Sequence, residues 1–365
     1  MTERPPAAPG TRNLITDVPG LKVGQAHDAA ARTGVTVILP DDRAVAGCDV
    51  RGGGPGTRET DALAPENLVD AIDAIVLSGG SVYGLAAADG VVGWLGTQGR
   101  GYGLVARPGV PPSPVVPAAI LYDVANGGDR NWGEAPPYRH LGRAAVIAAG
   151  LDFDLGTAGA GYGAMAGGLK GGTGSASIVS ADGYTVGAVV AVNSFGSVVA
   201  PGGRTFWAAP FELDAEFGGL GAGGLAAGPD DWGLAKADPA QRMNTTIACV
   251  ATDAILTPAQ AKRVAIMART AWPAPSAPST LPSTATWSSP CPPAAGPWAR
   301  PPTSPSPDWE RSPPTAWPAP WPAASTPRRP GRACAPGRTC DRMQKESRRP
   351  ACAFRAPRLG TAPSP

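Results

Sequence analysis

The sequence predicts a fold of the α+β class for residues 13–270, and three observations carry this prediction. Short runs of β-branched residues predict strands, and separate stretches with apolar residues three and four positions apart predict helices. Most of the 49 glycines lie before residue 230, between those runs, where they permit tight turns and close backbone contacts. The β-branched runs between the glycines argue against disorder in this part of the chain.

Strands are predicted wherever β-formers follow one another between turn residues. The first two surround a Pro19-Gly20 turn, and the run at 44–50 is expected to pair with the run at 34–39. The predicted strands cover residues 13–18, 21–24, 34–39, 44–50, 71–77, 115–124, 187–192 and 245–256.

Three helices are predicted, at residues 81–95, 139–149 and 257–270. The last has clear start signals. Thr257 is a good N-cap, Pro258 suits the first helical position, and Gln260 stands three residues after the cap.

Two glycine-rich segments raise the question of a site. Residues 51–61 carry two arginines and two acids, but they lack the Gly-Lys-Ser/Thr ending and the following helix of a phosphate loop. A structured loop near a site and a plain turn both fit them. Gly79-Gly80-Ser81 resembles a nucleophile elbow only loosely, because Gly-x-Ser-x-Gly is absent, and close helix packing explains it better.

Composition and charge narrow the classes of function. The net charge of +2 gives no argument for nucleic acid or for an acidic partner. The sequence contains no run of about 18 or more apolar residues, so it predicts no membrane span. Residues 1–12 lack the apolar core of a signal peptide, so we expect a cytoplasmic protein. The six cysteines show no metal-binding spacing, and Cys48 and Cys249 are expected to be small core residues.

The main chemical candidate is the Asn244-Thr245-Thr246 step, which opens a run of β-formers. It follows residues 218–242, a segment rich in Gly, Ala and Asp that predicts an exposed loop. A Thr at the start of a buried strand becomes a nucleophile if the preceding peptide bond is cut, because the freed α-amine then stands beside the hydroxyl as its base. A strand that merely begins with polar residues is the alternative, and this stretch alone favours it.

Two further polar residues stand beside predicted strands or glycine turns. Lys170 lies in the glycine-rich run 156–177, where a buried lysine has a lowered pKa and can act as base or donor, although spacing alone favours an exposed loop lysine. Asn193 follows a predicted strand. Its amide can point at a developing oxyanion or cap a turn, and propensity favours the cap.

The character of the chain changes at residue 271. Residues 271–365 contain no Ile, Val or Tyr, but 24 of the 43 prolines and six of the ten tryptophans. Such a segment cannot bury a core and is predicted to be disordered. Its mixture of Trp, Pro, Ala, Ser and Arg is what a GC-rich gene yields when it is read out of frame.

We therefore hypothesise a frameshift near residue 270. Joining the third base of each codon to the first two bases of the next, with GC-rich choices, re-reads residues 271–291 as roughly G-LARAIRPIHAPLDSDLVFAL. That string continues the helix and adds a loop, an acidic turn and an apolar strand. Sequencing the gene across codon 270 is expected to show the change of frame, and a continuous frame there contradicts the hypothesis.

Residues 13–270 resemble the DmpA-type aminopeptidases, the L-aminopeptidase/D-esterase family that includes the nylon-oligomer hydrolases. The motifs that carry the resemblance are Asn-Leu-Ile-Thr-Asp-Val-Pro-Gly at 13–20, the glycine-rich loop at 51–61, Leu-Ser-Gly-Gly-Ser-Val-Tyr-Gly-Leu at 77–85, Leu-Lys-Gly-Gly at 169–172, Val-Asn at 192–193 and Asn-Thr-Thr-Ile at 244–247.

The resemblance implies a precursor that cuts itself and keeps both pieces in an αββα sandwich of the N-terminal-nucleophile type. It places the cut between Asn244 and Thr245 and makes Thr245 the nucleophile. Lys170 matches the site lysine of the family, Asn193 its oxyanion donor and Tyr122 the tyrosine of the pocket. The implied activity is hydrolysis of peptide, ester or amino-acid amide bonds without metal or cofactor, by processed units that commonly form homo-oligomers.

With this resemblance the chain divides into four predicted parts. Residues 1–12 form a disordered leader, 13–244 the first part of the hydrolase domain, 245–270 the nucleophile strand and its helix, and 271–365 an aberrant, disordered tail.

One departure from the family concerns an acidic pair that follows the helix after the nucleophile strand. Its places are Thr284 and Thr286 here, and both become Asp in the shifted reading. We therefore expect the chain as written to fold poorly or to lack activity. Two alternatives stay open, a relative that binds small amines or peptides without cleaving them and an ornithine-type acetyltransferase, which the glycine motifs match less well.

Overall fold

The computed structural model of the protein describes residues 6–105, 107–223, 231, 233–236, 244–270 and 284–288. Thirteen strands and three α-helices lie in these residues. The strands are β1 Ala8–Pro9, β2 Leu21–Asp28, β3 Thr33–Pro40, β4 Ala46–Asp49, β5 Thr57–Arg58, β6 Ile75–Ser78, β7 Ala118–Ile120, β8 Met165–Ala166, β9 Leu169–Lys170, β10 Gly172–Val179, β11 Thr185–Asn193, β12 Thr245–Thr252 and β13 Thr284–Ser288. The helices are α1 Ala87–Thr97, α2 Tyr138–Ile147 and α3 Pro258–Thr270.

Most of the strands form two sheets. The first sheet has six strands in the order β1-β10-β11-β12-β13-β4, and the second has five in the order β2-β3-β6-β7-β5. β8 and β9 form a separate hairpin. β12 is antiparallel to β11 and parallel to β13, so it lies in the middle of the first sheet.

The two sheets pack face to face through alternate residues of their strands. Ile247, Cys249 and Ala251 on β12 belong to one buried cluster with Leu77 on β6 and Leu121, the residue that follows β7. Alternate residues of a strand point to opposite faces, so one face of β12 serves this inner core.

Helices cover the outer faces of both sheets. α1 and α2 pack on the second sheet through Val91 and Leu141, which share a buried cluster with Val35 and Val37 of β3. α3 packs on the first sheet so closely that a Cβ at Gly47 of β4 would collide with the helix backbone. The layer order helix, sheet, sheet, helix confirms the predicted αββα sandwich.

Two of the predicted strand features are wrong. Residues 13–18 do not form a strand, because the Asp17 carboxylate accepts hydrogen bonds from the backbone N–H groups of Arg12 and Leu14 and holds Ile15–Asp17 in a 3-10 turn. Residues 44–50 include β4, but β4 pairs with β13. β3 already has β2 on one edge and β6 on the other, so it offers no free edge.

The structure also differs from the predicted ends of the chain. Residues 8–9, assigned to the leader, form β1 at the edge of the first sheet, where Pro9 is tolerated because an edge strand can do without its N–H. Residues 284–288, assigned to the tail, form β13 between β12 and β4. Backbone pairing on both sides requires no apolar side chain, and Thr and Trp favour strands. The rest of 271–365 lies outside the described residues.

The predicted start of α3 is confirmed. The backbone N–H of Gln260 donates to Thr257 Oγ1 at 3.3 Å, and the backbone N–H of Thr257 donates to Gln260 Oε1 at 2.9 Å. This reciprocal capping box satisfies two N–H groups that a helix start otherwise leaves without a partner.

We expect Thr257→Ala to lower the free energy of unfolding by about 1 kcal/mol, because the mutation removes the acceptor of the cap. Chemical denaturation measures this loss. Thr257→Ser keeps the hydroxyl and should recover most of it, and a serine variant as unstable as the alanine variant contradicts the assigned role of the cap.

Candidate active site

Thr245 begins β12, and Asn193 ends β11 directly opposite it in the antiparallel ladder. Paired residues in such a ladder have Cα atoms about 4.5–5.5 Å apart. Both side chains share a strand face with inner-core residues, Val189 and Ala191 on β11 and Ile247 on β12. Thr245 and Asn193 therefore stand side by side at one end of the space between the two sheets.

Asn193 is fully buried, and hydrogen bonds orient its carboxamide. Its Nδ2 donates to the carbonyl oxygen of Tyr122 at 2.8 Å, while its Oδ1 accepts from the backbone N–H of Met165 at 2.9 Å and from Asn126 Nδ2 at 3.3 Å. These contacts distinguish the oxygen from the nitrogen. The amide is thus held as a hydrogen-bond donor on its Tyr122 side.

Lys170 lies on β9 with its ammonium group against backbone carbonyls. Its Nζ donates to the carbonyl oxygens of Ala164 at 3.1 Å, Gly171 at 3.2 Å and Gly161 at 3.3 Å. Loss of water around the ammonium group and the nearby positive charge of Arg32 lower the pKa of Lys170, whereas the charge of Asp123 raises it. Three carbonyl acceptors suit a protonated lysine, so the geometry favours a cation.

One peptide group connects Lys170 to Asn193. The carbonyl of the Ala164–Met165 peptide accepts from Lys170 Nζ, and its N–H donates to Asn193 Oδ1. Hydrogen bonds in such a chain polarise one another. The positive charge of Lys170 therefore strengthens the Asn193 amide as a donor without direct contact.

Asp123 is a buried acid that no sequence motif singles out. Its carboxylate accepts from Thr33 Oγ1 and from the backbone N–H of Gly80, both at 2.7 Å, and burial raises the pKa of the carboxyl although these bonds oppose the shift. Gly80 has a φ of +85°, and a Cβ there would collide with the Tyr138 ring. Asp123 thus fixes the glycine turn next to Tyr122, and its position directly after Tyr122 was the only sequence signal.

Positions 284 and 286, where the resemblance expects two acids, do not lie beside Thr245. Thr284 pairs with Ala248 and Thr286 with Val250 in the parallel ladder. At a strand rise of about 3.3 Å per residue, position 284 lies about 10 Å along the sheet from Thr245. Strand pairing connects Thr245 to Asn193, and hydrogen bonds connect Asn193 to Tyr122 and, through one peptide, to Lys170. Positions 284 and 286 lie apart from this set.

Other reactive groups in the described residues offer little chemistry. Cys48 and Cys249 are free thiols in or beside the core, and burial raises the pKa of both to about 12, so neither is an activated nucleophile. Among the described residues, no group of three or more His, Cys, Asp and Glu side chains could hold a metal ion. No helix in that part of the chain is long and apolar enough to cross a membrane.

Comparison with solved structures identifies the fold. A solved L-aminopeptidase D-Ala-esterase/amidase from Ochrobactrum anthropi, described as a variant of the Ntn hydrolase fold, matches with a TM-score of 0.53 and 22% identity. The match covers 77% of this chain and 75% of that chain. The protein therefore has the α+β fold of the Ntn-hydrolase aminopeptidases.

The family follows from sequence similarity. The model of peptidase family S58 matches residues 13–273, so the chain belongs to this family of hydrolases. An uncharacterised aminopeptidase of Mycobacterium tuberculosis is 42% identical over 271 residues, covering 70% of this chain and 74% of that protein. A 6-aminohexanoate-oligomer endohydrolase of a Kocuria species is 35% identical over 164 residues, covering 45% of this chain and 41% of that protein. The predicted resemblance is confirmed.

The end of the family match bears on the hypothesis of a frameshift. The match stops at residue 273, within three residues of the change in composition at 271. Similarity to the family therefore ends where the hypothesis places the change of frame, and the hypothesis itself stays a prediction until the gene is sequenced.

Proposed function

We propose that the protein is a self-processing aminopeptidase or amidase in which scission of the Asn244–Thr245 bond makes Thr245 an N-terminal nucleophile. The pairing of Thr245 with Asn193 carries this proposal, because it sets a hydroxyl opposite a buried amide donor. Asn244 is also buried, so the scissile bond lies at the start of the sheet strand β12.

The chemistry then proceeds in two steps. The Thr245 hydroxyl attacks the substrate carbonyl while its own α-amine takes the proton, and the oxyanion forms beside the Asn193 amide. The amine returns the proton to the leaving amine or alcohol, which leaves an ester on Thr245. Water, deprotonated by the same amine, hydrolyses the ester and restores the hydroxyl.

Lys170 assists as a cation in this proposal. Its positive charge disfavours a second ammonium group nearby, so it keeps the Thr245 amine in the neutral form that a base requires. Its bond to the Ala164 carbonyl also polarises the peptide that supports Asn193. Tyr122 contributes its carbonyl to the orientation of Asn193, and we assign its side chain to the wall of the substrate pocket.

We propose small peptides and amino-acid amides or esters as substrates, and an assembly of processed units as a homo-oligomer. The names of the relatives support the first part, since one is an aminopeptidase and another acts on 6-aminohexanoate oligomers. A relative that only binds its ligand would show neither cleavage nor turnover. An acetyltransferase would pass the acyl group to an amine acceptor instead of water.

Intact mass spectrometry of two proteins tests the proposal: the chain as written and a chain whose frame after codon 270 is restored. We expect the restored chain to break between Asn244 and Thr245, and the chain as written, without acids at 284 and 286, to remain largely whole. A restored chain that stays in one piece contradicts Thr245 as an N-terminal nucleophile. Full cleavage and turnover by the chain as written contradicts the need for the acidic pair.

A further inference from the structure

A second lysine, Lys236, reaches the same amide that faces Thr245. Its Nζ lies 3.5 Å from Asn193 Oδ1, on the side of the carboxamide where Met165 and Asn126 also donate. Lys236 belongs to the segment 218–242 before the proposed cut, for which the sequence predicts an exposed loop.

Backbone hydrogen bonds anchor this segment on both elements of the site. The N–H of Lys236 donates to the carbonyl of Phe195, two residues after Asn193, at 3.0 Å. The carbonyl of Leu234 accepts from the N–H of Gly168, in the turn between β8 and β9, at 2.6 Å. The lysine is therefore held between the strand that ends at Asn193 and the hairpin that carries Lys170.

The surroundings of Lys236 strengthen its interaction with Asn193. The side chain is half-buried, and loss of water lowers the pKa of its ammonium group to about 8, which still leaves it mostly protonated at neutral pH. Hydrogen bonds from a charged donor are roughly twice as strong as neutral ones, and low local polarity increases the effect.

A flipped carboxamide would be costly at this position. With Asn193 reversed, its N–H₂ group would face the donors of Lys236 and Met165, and its oxygen would face the carbonyl of Tyr122. Each contact would then join two donors or two acceptors inside a buried site, where an unmet polar group costs about 1–3 kcal/mol.

We propose that Lys236 is a positioning residue that holds the Asn193 carboxamide with its N–H₂ group toward the carbonyl attacked by Thr245. The inference rests on the proposed function, since the orientation matters for the oxyanion at that carbonyl. Lys236 donates to the oxygen of the Asn193 carboxamide. It therefore supports the N–H₂ group as a donor without standing where the substrate carbonyl binds.

The test compares three variants, Lys236→Met, Lys236→Arg and the control Lys22→Met. Lys22 is a partly exposed lysine on β2 that pairs with Asp41 and takes no part in the site. The methionine substitutions keep most of the stem and remove the charge at both positions.

The first measurement needs a folded protein only. The side-chain amide signals of Asn193 are observed by NMR with ¹⁵N-labelled asparagine and identified by their loss in Asn193→Asp. We expect them to shift in Lys236→Met, to return toward their original place in Lys236→Arg and to stay unchanged in Lys22→Met. Asn193 amide chemical shifts that are unchanged in Lys236→Met overturn the proposal.

The second measurement is the rate of scission before Thr245 and of ester hydrolysis, in whichever of the two chains, as written or frame-restored, is cut. Lys236→Met should slow both about tenfold through kcat, less than the loss of an oxyanion donor itself, with KM little changed and partial rescue by arginine. Rates equal to those of Lys22→Met overturn the proposal. If neither chain is cut, the proposed function fails, and the amide signals still decide the role of Lys236.

Discussion

Thr245→Ala is expected to leave the polypeptide in one piece and to abolish hydrolysis, with a fall in rate of at least about 10³-fold. The substitution removes the hydroxyl that cuts the Asn244–Thr245 bond and that later carries the acyl group. In the described part of the chain, the ladder between β11 and β12 sets Thr245 opposite Asn193. Intact mass and turnover of an amino-acid ester, in the form of the chain that self-cleaves, measure the effect.

Two matched variants separate chemistry from folding at this strand. Thr245→Ser keeps the hydroxyl and should still be cut, whereas Thr246→Val alters the buried neighbour on the opposite face and should remain active. An acylating probe should label Thr245. Labelling of another side chain, together with normal turnover by Thr245→Ala, would remove the basis of the proposed mechanism.

Asn193→Asp is expected to reduce both the first-order rate constant of scission and the kcat of hydrolysis by about 10²–10³-fold. The aspartate has nearly the same shape, but a carboxylate has no N–H to donate and places negative charge where an oxyanion must form. It also faces the carbonyl of Tyr122 with an acceptor instead of a donor. Steady-state kinetics and a time course of scission measure the loss.

Asn131→Asp is the control for this change, because Asn131 is exposed and the same substitution there adds the same charge. Its rates should match those of the unchanged protein. If Asn193→Asp cleaves itself at a normal rate, Asn193 is not the donor at the oxyanion. A thermal melt of both variants shows whether the buried charge has unfolded the site.

The sequence predicted those parts of the fold that depend on local periodicity. Alternating β-formers located β3, β11 and β12, and the Thr257 to Gln260 signal located the start of α3. Local signals failed where a side chain redirected the backbone, as Asp17 does in the 3-10 turn. They located β4 but not its pairing partner β13, which lies more than 200 residues away along the chain.

The sequence likewise predicted some features of the candidate site and left others to the structure. Thr245, Lys170 and Asn193 were named from motifs, and Tyr122 from the family resemblance. The structure pairs Thr245 with Asn193 and connects Asn193 to the other two by hydrogen bonds. Their connections were beyond the reach of the sequence, because the peptide between Ala164 and Met165 has no motif of its own. Asp123 and Lys236 were missed for a similar reason, since a single acid or a single loop lysine has no pattern until the fold supplies its partners.

The sequence by itself predicted the α+β class from strand and helix periodicity. Its resemblance to a known family, carried by short motifs of neighbouring residues, predicted the αββα arrangement, the family and the residue proposed as nucleophile. Tertiary structure alone decided which way the Asn193 amide points and which groups hold it, and it set positions 284 and 286 apart from Thr245. These features depend on strand register and on hydrogen bonds between distant residues. Only a packed fold specifies both.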